Sequence, residues 1–246
     1  MKTVILCAGR GKRLKGLTEH LPKPLVKVKG KALLEYVLEA FIDSGIKEKD
    51  IVLVTGYQRQ KIAKFLHEKR FFVNMVENPD WEHTNMVHSF YKGIESLPEE
   101  DVIVSYGDII YGQSLIEKLI KDQGDIVLPY HVRWRELWQK RFDDPLEDAE
   151  TFEVDENGLL TEIGRRPESF SQIKGQYMGV FRLSSEGVKL LISFYKRLDN
   201  LQMDFTGLFM EMIKNGVNIK TMPYDGIFIE VDREWDLKVA EEQLSG

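Results

Sequence analysis

Cysteine is almost missing from this chain. Cys7 stands alone, so no internal disulfide can form. The five histidines show no metal-ligand spacing, and no Cys/His cluster suggests structural zinc. No apolar run is long enough to cross a bilayer, so membrane insertion is not expected. The N-terminus reads as a strand, without the basic region and small-residue cleavage site of a secretory signal, and a cytoplasmic protein is expected. Cations are the minority charge: 34 Lys and Arg against 40 Asp and Glu leave a net charge of −6. That balance argues against a nucleic-acid partner, which needs a broad basic surface to meet phosphates. There is no internal repeat and no low-complexity linker. At 246 residues, 43% of them hydrophobic, the chain can bury one substantial core, and a single domain over 1–246 is expected. A homo-oligomer is left open.

The positive signal is concentrated at the start. Val4-Ile5-Leu6-Cys7 is an apolar run that enters Ala8-Gly9-Arg10-Gly11, and Lys12 and Arg13 follow at once. A buried strand delivering the backbone into a glycine-bearing turn can expose N–H groups to an anion. Between Arg10 and Lys31 stand eight Lys or Arg and one carboxylate, Glu19. Such a basic strip in an acidic chain suits a polyphosphate. Two familiar glycine motifs are excluded: residue 14 is Leu, so the G-x-G-x-x-G dinucleotide fingerprint fails, and no G-K-[ST] follows for a P-loop.

Apolar runs at Thr3–Cys7, Asp50–Thr55, Phe72–Glu77, Val102–Tyr106, Asp125–Pro129, Gly175–Arg182 and Gly226–Val231 read as strands. Helical periods lie at Leu33–Asp43, Gln58–Lys69, Asn85–Ser96, Ser114–Lys121, Ser185–Leu198, Asp204–Asn215 and Glu234–Leu244. Turns are marked at Lys29-Gly30, Asn78-Pro79 and Asn157-Gly158, the last inside a hairpin or helical tip over Thr151–Ile163. Strands alternating with helices predict an α/β fold with one mixed, mostly parallel sheet and ligands at the C-terminal strand ends. Two carboxylates wait at such ends. Asp108 follows Val102–Tyr106 and Gly107, and Asp232 follows Phe228–Val231. Each could hold a divalent cation that also binds phosphate oxygens, or each could cap a nearby helix beginning at Ser114 or Glu234.

The pattern L-x-A-G-x-G-x-R followed by T-x-x-x-P-K, carried by Leu6, Ala8, Gly9, Gly11, Arg13, Thr18, Pro22 and Lys23, resembles the signature of nucleotidyltransferases. These enzymes join an NTP to a sugar phosphate or a small phosphorylated alcohol. Cys7 departs from it mildly, since the family usually has a small residue there. The resemblance implies a Rossmann-like three-layer α/β/α fold of the GT-A-like kind, Mg²⁺ held by Asp108 and Asp232, and Gly107 beside the nucleotide. It also implies Arg13 on the β- and γ-phosphates and Lys23 on the α-phosphate and the attacking phosphate.

The stretch Asn78-Pro79-Asp80-Trp81-Glu82-His83-Thr84-Asn85-Met86-Val87-His88-Ser89 is similar to the N-x-x-(Y/W)-x-x-T-N-x-x-x-S element of cytidylyltransferases acting on phosphocholine and related phospho-compounds. Asn78, Thr84 and Asn85 are then candidates for the base, with Thr84 as helix N-cap and Ser89 facing the acceptor. Trp134–Trp138 followed by Arg141–Thr151 resembles a W-x-x-R-F-x-x-P-L-x-D-A-E-T block of the phosphocholine, 2-aminoethylphosphonate and phosphoglutamine branch. It lies in an acceptor-binding insertion expected around 130–175. Arg166 stands where the family places an acceptor-binding Lys, which keeps the charge but changes its geometry. Gln176, Gly179 and Asp204 complete the implied acceptor site.

Residues 143–156 hold eight Asp or Glu and no Lys or Arg. They read either as a solvated loop or as a lid that attracts a cationic acceptor. Trp134 and Trp138 read as one helix face on the core, or as cation–π partners of that acceptor. The expected substrates are CTP and a small phospho-compound. The alternatives are a sugar-1-phosphate nucleotidyltransferase using UTP or dTTP, and a non-catalytic nucleotide-binding regulatory module.

Overall fold

The computed structural model describes residues 1–245 apart from Ser96 and Pro98. The expected end of the third helix at Ser96 lies outside the described residues, as does Gly246. The strands are β1 Lys2–Cys7, β2 Lys27–Val28, β3 Lys31–Ala32, β4 Ile51–Thr55, β5 Asn74–Glu77, β6 Val102–Tyr106, β7 Ile109–Tyr111, β8 Ile126–His131, β9 Phe152–Val154, β10 Leu160–Ile163, β11 Gln176–Tyr177, β12 Val180–Leu183, β13 Lys220–Tyr224 and β14 Phe228–Glu230. The helices are α1 Leu33–Asp43, α2 Arg59–Lys69, α3 Met86–Ile94, α4 Gln113–Lys121, α5 Trp134–Arg141, α6 Ser185–Tyr195, α7 Phe205–Lys214 and α8 Glu234–Gln243.

The main sheet runs β11-β8-β12-β6-β1-β4-β5, with β13 also on β8. Four of its pairings are parallel, β1·β4, β1·β6, β4·β5 and β8·β13. Three are antiparallel, β11·β8, β12·β6 and β12·β8. The mixed, mostly parallel α/β sheet is therefore present. β1 alternates its side chains between two cores: Ile5 and Cys7 pack with α1 and α4, and Val4 and Leu6 pack with α3 and α7. Burial on both faces is why the run is continuously apolar. A third, smaller cluster joins Leu14, Val26 and Leu33 to Ile229 and Val231 and anchors the segment after β1.

The chain steps from β1 to β4 and β5 on one side, then returns to β6 on the other. The C-terminal end of β1 is thus the point where strand order reverses, and a crevice opens there. Among the described residues no helix is long and apolar enough to cross a membrane.

Several elements differ from expectation. The run 175–182 is two strands, because Gly179 turns the chain at φ 64°. A side chain there would collide with Ile109 and Tyr106. By contrast, the 151–163 segment is the antiparallel hairpin expected there, β9 with β10, rather than a helical tip. β2, β3, β7 and β13 lay outside the expected strand runs, and α5 is the helix whose face Trp134 and Trp138 were expected to form. β13 was hidden by Pro223 and by its polar members, which suit its place at the margin of the sheet.

Candidate active site

The glycine turn sits at the end of β1. Thr18 Oγ1 donates to the Gly11 carbonyl at 2.8 Å and ties the turn to the 3₁₀ segment Lys12–Thr18. Gly11 has φ 74°, and a Cβ there would fall 2.6 Å from Lys23 Cβ. Gly9 differs: nothing lies within 4 Å of its virtual Cβ, so its open side faces free space in the crevice. Lys23 is set between Pro22 and Pro24, which open a short 3₁₀ turn, and its stem runs under Gly11.

Lys23 Nζ lies 2.5 Å from Asp232 Oδ1 and 2.8 Å from Asp108 Oδ2. Burial would push its pKa down, but Asp108 and Asp232 pull it well above the ordinary lysine value. Asp232 is buried, and Arg13 Nη2 meets its other oxygen at 3.0 Å. Burial alone would raise the Asp232 pKa, yet Lys23 and then Arg13 hold it below the usual carboxylate range. Neither acid caps a helix: α4 is capped at Gly112 and α8 at Arg233. Gly107 stands behind the crevice, where a side chain would strike Cys7 Sγ, so packing of β6 on β1 explains the glycine.

One half of the crevice is lined by Leu6, Ala8, Gly9, Gly11, Arg13 and Lys23 with Trp81, Thr84, Asn85, Met86, Ser89, Asp108 and Asp232. The expected nucleotide residues meet here, apart from Asn78 and Gly107. Asn78 is fully buried behind the wall, where its Nδ2 donates to Thr84 Oγ1 at 3.0 Å and to Ser89 Oγ at 3.1 Å. The helix cap moves by one residue: Asn85, not Thr84, caps α3 by accepting from the Met86 N–H. The Thr84 hydroxyl is occupied, donating to the Asp80 carbonyl and accepting from Asn78. Asn85 Nδ2 donates to the Gln202 carbonyl, so both asparagine amides already serve the fold. Trp81 was not singled out from the sequence. It packs on Gly56, where a Cβ would meet its ring at 2.6 Å, and it leans on Tyr57 with centroids 5.3 Å apart.

The other half continues across Arg13, Met86, Tyr106 and Asp232, and is lined further by Trp138, Asp148, Glu150, Gln176, Tyr177, Gly179, Asp204 and Glu230. Its five carboxylates face the single cation Arg13. Glu150 is pushed above its ordinary pKa by the protein around it, then by Asp204 and Asp148. Glu230 is pushed up to about 7 by burial and then by Asp232, against the pull of Arg141. Gln176 spends its amide on the backbone N–H and carbonyl of Glu150, at 3.1 and 2.7 Å, and so holds that residue at the crevice. Asp204 caps α7 through Gly207 N–H at 2.8 Å. Arg166 is exposed and lines neither half.

The eight-acid segment does not act as a unit. Only Asp148 and Glu150 reach the crevice. Asp143 and Glu147 lie in an outer groove with Arg233, Asp144 caps the turn at Pro145, and Asp155 caps the hairpin turn through Asn157 and Leu159 N–H. Trp134 and Trp138 are buried in the core, and the cation on Trp138 is Arg141, 5.0 Å from its ring.

Among the described residues no three His, Cys, Asp or Glu side chains form a ready metal cage. Asp108 and Asp232 nonetheless converge on one point, now held by an ammonium. Two protein carboxylates with phosphate oxygens filling the remaining positions is how Mg²⁺ is commonly bound, so this pair fits that ion.

Residues 3–161 match the family model of the MobA-like NTP transferase domain. The chain is similar to a CTP:phosphoglutamine cytidylyltransferase of Campylobacter jejuni, 35% identical over 262 residues that cover 99% of this chain and 100% of that protein. A choline-phosphate cytidylyltransferase of Streptococcus pneumoniae is 39% identical over 103 residues, 42% of this chain and 43% of its own length. Among solved structures, the inositol-1-phosphate CTP transferase of T. maritima superposes with a TM-score of 0.77 at 24% identity, covering 99% of this chain and 94% of that one. The S. pneumoniae CTP:phosphocholine cytidylyltransferase superposes at 0.72 and 20% identity, covering 99% and 98%. These two establish the fold.

Proposed function

Because the chain belongs to the MobA-like NTP transferase family, within its cytidylyltransferase branch, we propose that it transfers CMP from CTP to a small phosphate or phosphonate acceptor that carries a cationic nitrogen, releasing pyrophosphate. The observation that carries this reading is Lys23: a buried ammonium paired with both Asp108 and Asp232 where the glycine turn meets them.

An acceptor phosphate oxygen attacks the α-phosphorus in line, and pyrophosphate departs on the opposite side. The acceptor is already ionised near neutral pH, so no general base is required, and catalysis is positioning plus charge neutralisation. Lys23 turns from its carboxylates to the α-phosphate and the attacking oxygen. Arg13, mostly exposed and, among the described residues, ion-paired with Asp232, takes the β- and γ-phosphates. Asp108 and Asp232 would hold Mg²⁺, which supplies charge to the triphosphate oxygens. The glycine turn admits the triphosphate closely at Gly9. Trp81 gives the base an aromatic edge, and Asn78 orients Thr84 and Ser89 on that same side, so Ser89, expected at the acceptor, lines the nucleotide half instead.

The acceptor end is chosen by charge. Asp148, Glu150 and Asp204 with the Tyr106 and Tyr177 rings suit an ammonium and disfavour an anion. The 130–175 segment supplies Trp138, Asp148 and Glu150 to that wall, in keeping with an acceptor-binding insertion. Choline phosphate, the acceptor named for the Streptococcus pneumoniae relative, carries such a nitrogen. The test is a panel of phosphoglutamine, phosphocholine, phosphoethanolamine, 2-aminoethylphosphonate and hexose 1-phosphates with CTP and Mg²⁺, read as pyrophosphate release. Turnover with a cationic acceptor at least tenfold above any hexose phosphate is expected. The opposite order would overturn the acceptor reading.

A further inference from the structure

Arg141 and Asp236 line neither half of the crevice. They are 95 positions apart in the chain, yet they form one buried unit. Arg141 closes α5 and presents its fork to Asp236, with Nε to Oδ1 at 2.9 Å and Nη2 to Oδ2 at 3.1 Å. Its remaining nitrogen, Nη1, donates to Glu230 Oε2 at 2.9 Å. Asp236, in the first turn of α8, uses Oδ2 twice more: it accepts the backbone N–H of Asp232 and that of Arg233, both at 2.9 Å.

The two amides that Asp236 grips flank the Asp232 Cα. One guanidinium therefore ties α5, β14 and α8 together and clamps the main chain where the Asp232 carboxylate departs. Buried ion pairs add little net stability, because desolvation offsets their attraction. What this pair supplies is geometry: Asp232 must present one oxygen to Lys23 and the other to Arg13. We infer that Arg141 and Asp236 are a positioning pair, which fixes the backbone at Asp232 so that its carboxylate stays on the cation site. The inference rests on the reading of Asp232 as a cation ligand. It also gives Arg141, part of the tryptophan-rich block, a task on the catalytic side of the crevice.

Mn²⁺ binding with CTP and no acceptor, followed by the electron paramagnetic resonance of free Mn²⁺, tests this without turnover. Asp232→Asn should weaken Mn²⁺ at least tenfold. Asp236→Asn leaves one acceptor oxygen for two amides and a guanidinium, and Arg141→Lys keeps charge but loses the fork. Each should weaken Mn²⁺ on the order of tenfold, the usual scale for residues that orient a ligand. Each should also lower kcat while KM for CTP moves less than about twofold. Asp101→Asn is the structural control: it breaks the pair with buried Arg182 and should lower the melting temperature without touching Mn²⁺ affinity. If Asp236→Asn fails to fold, Arg141→Lys decides alone. Wild-type Mn²⁺ affinity in the folded variants, beside a weakened Asp232→Asn, overturns the positioning role. Wild-type affinity in Asp232→Asn overturns the cation-ligand reading, and the positioning role with it.

Discussion

Gly11 and Lys23 are in direct contact. A Cβ on Gly11 would lie 2.6 Å from Lys23 Cβ and 2.9 Å from its Cδ, at a backbone φ of 74°. The bare glycine leaves the channel through which the lysine stem reaches its two carboxylates. Gly11→Ala must therefore move Lys23 as well as strain the turn. It should cost about 1–2 kcal/mol of stability and lower kcat at least tenfold. Gly9→Ala has neither neighbour nor strain, so it should melt like the wild type and express any loss as a higher KM for CTP. Thermal melts and steady-state kinetics on the two variants separate these outcomes, and equal behaviour would contradict the contact argument.

Lys23→Ala removes the ammonium shared by Asp108 and Asp232. Two carboxylates then face each other with Arg13 alone beside them, a loss of about 3 kcal/mol on the scale of broken buried pairs. Added Mg²⁺ should recover much of that loss, since a cation can settle between the same two oxygens. Turnover should fall in kcat far more than in KM for CTP, because the charge matters most as the α-phosphate gathers negative oxygens. A melting temperature insensitive to Mg²⁺, or a pure KM effect, would contradict the assignment.

Glu150 supplies a pH dependence with a definite sign. Its pKa is raised in the folded chain by surrounding protein, Asp204 and Asp148. The folded state therefore holds this proton more tightly than the unfolded one. The associated stability is present below the ordinary carboxylate value and is lost as pH rises through the raised one. A cationic acceptor prefers the ionised form, so KM for such an acceptor should fall as pH rises above the ordinary glutamate range. Glu150→Gln should shrink that pH dependence, leaving the part that Glu230 in the same half contributes, and leave KM for CTP unchanged. The triple change Asp143→Asn, Asp144→Asn and Glu147→Gln should do nothing comparable, because those side chains lie outside the crevice. An equal effect from both sets would return the segment to general surface charge.

Much of the site was legible because its parts sit at strand ends. The Gly9–Gly11 turn, Asp108 and Asp232 each follow an apolar strand, and an α/β sheet gathers such ends at one edge. Lys23, by contrast, stands in a 3₁₀ turn away from any strand end and was singled out from the basic strip only by the resemblance to nucleotidyltransferases. What escaped depended on paths that no local pattern reveals. Arg141 and Asp236 meet across 95 positions. Arg166 carries the right charge but is exposed outside both halves of the crevice, and nothing local to Trp81 in the sequence shows that it packs on Gly56 and Tyr57 beside the crevice. The helix cap fell to Asn85 rather than Thr84 because buried Asn78 and the Asp80 carbonyl occupy the threonine hydroxyl. The eight acids of 143–156 form a single block in sequence, yet a turn cap, a hairpin cap and an outer groove divide them, leaving two at the crevice.

Cytidylyl transfer is decided by one competition between nucleotides. Equimolar CTP, UTP, ATP and GTP, with Mg²⁺ and the best acceptor of the panel, are offered to the enzyme, and the products are weighed by mass spectrometry. CTP and UTP differ in one donor–acceptor pair at ring position 4, and a pocket that leaves one such group buried and unpaired discriminates by about 1–3 kcal/mol. The account predicts CDP-linked product in at least fivefold excess over the UDP-linked one. Equal incorporation of UTP, or a purine-linked product in the majority, would contradict it.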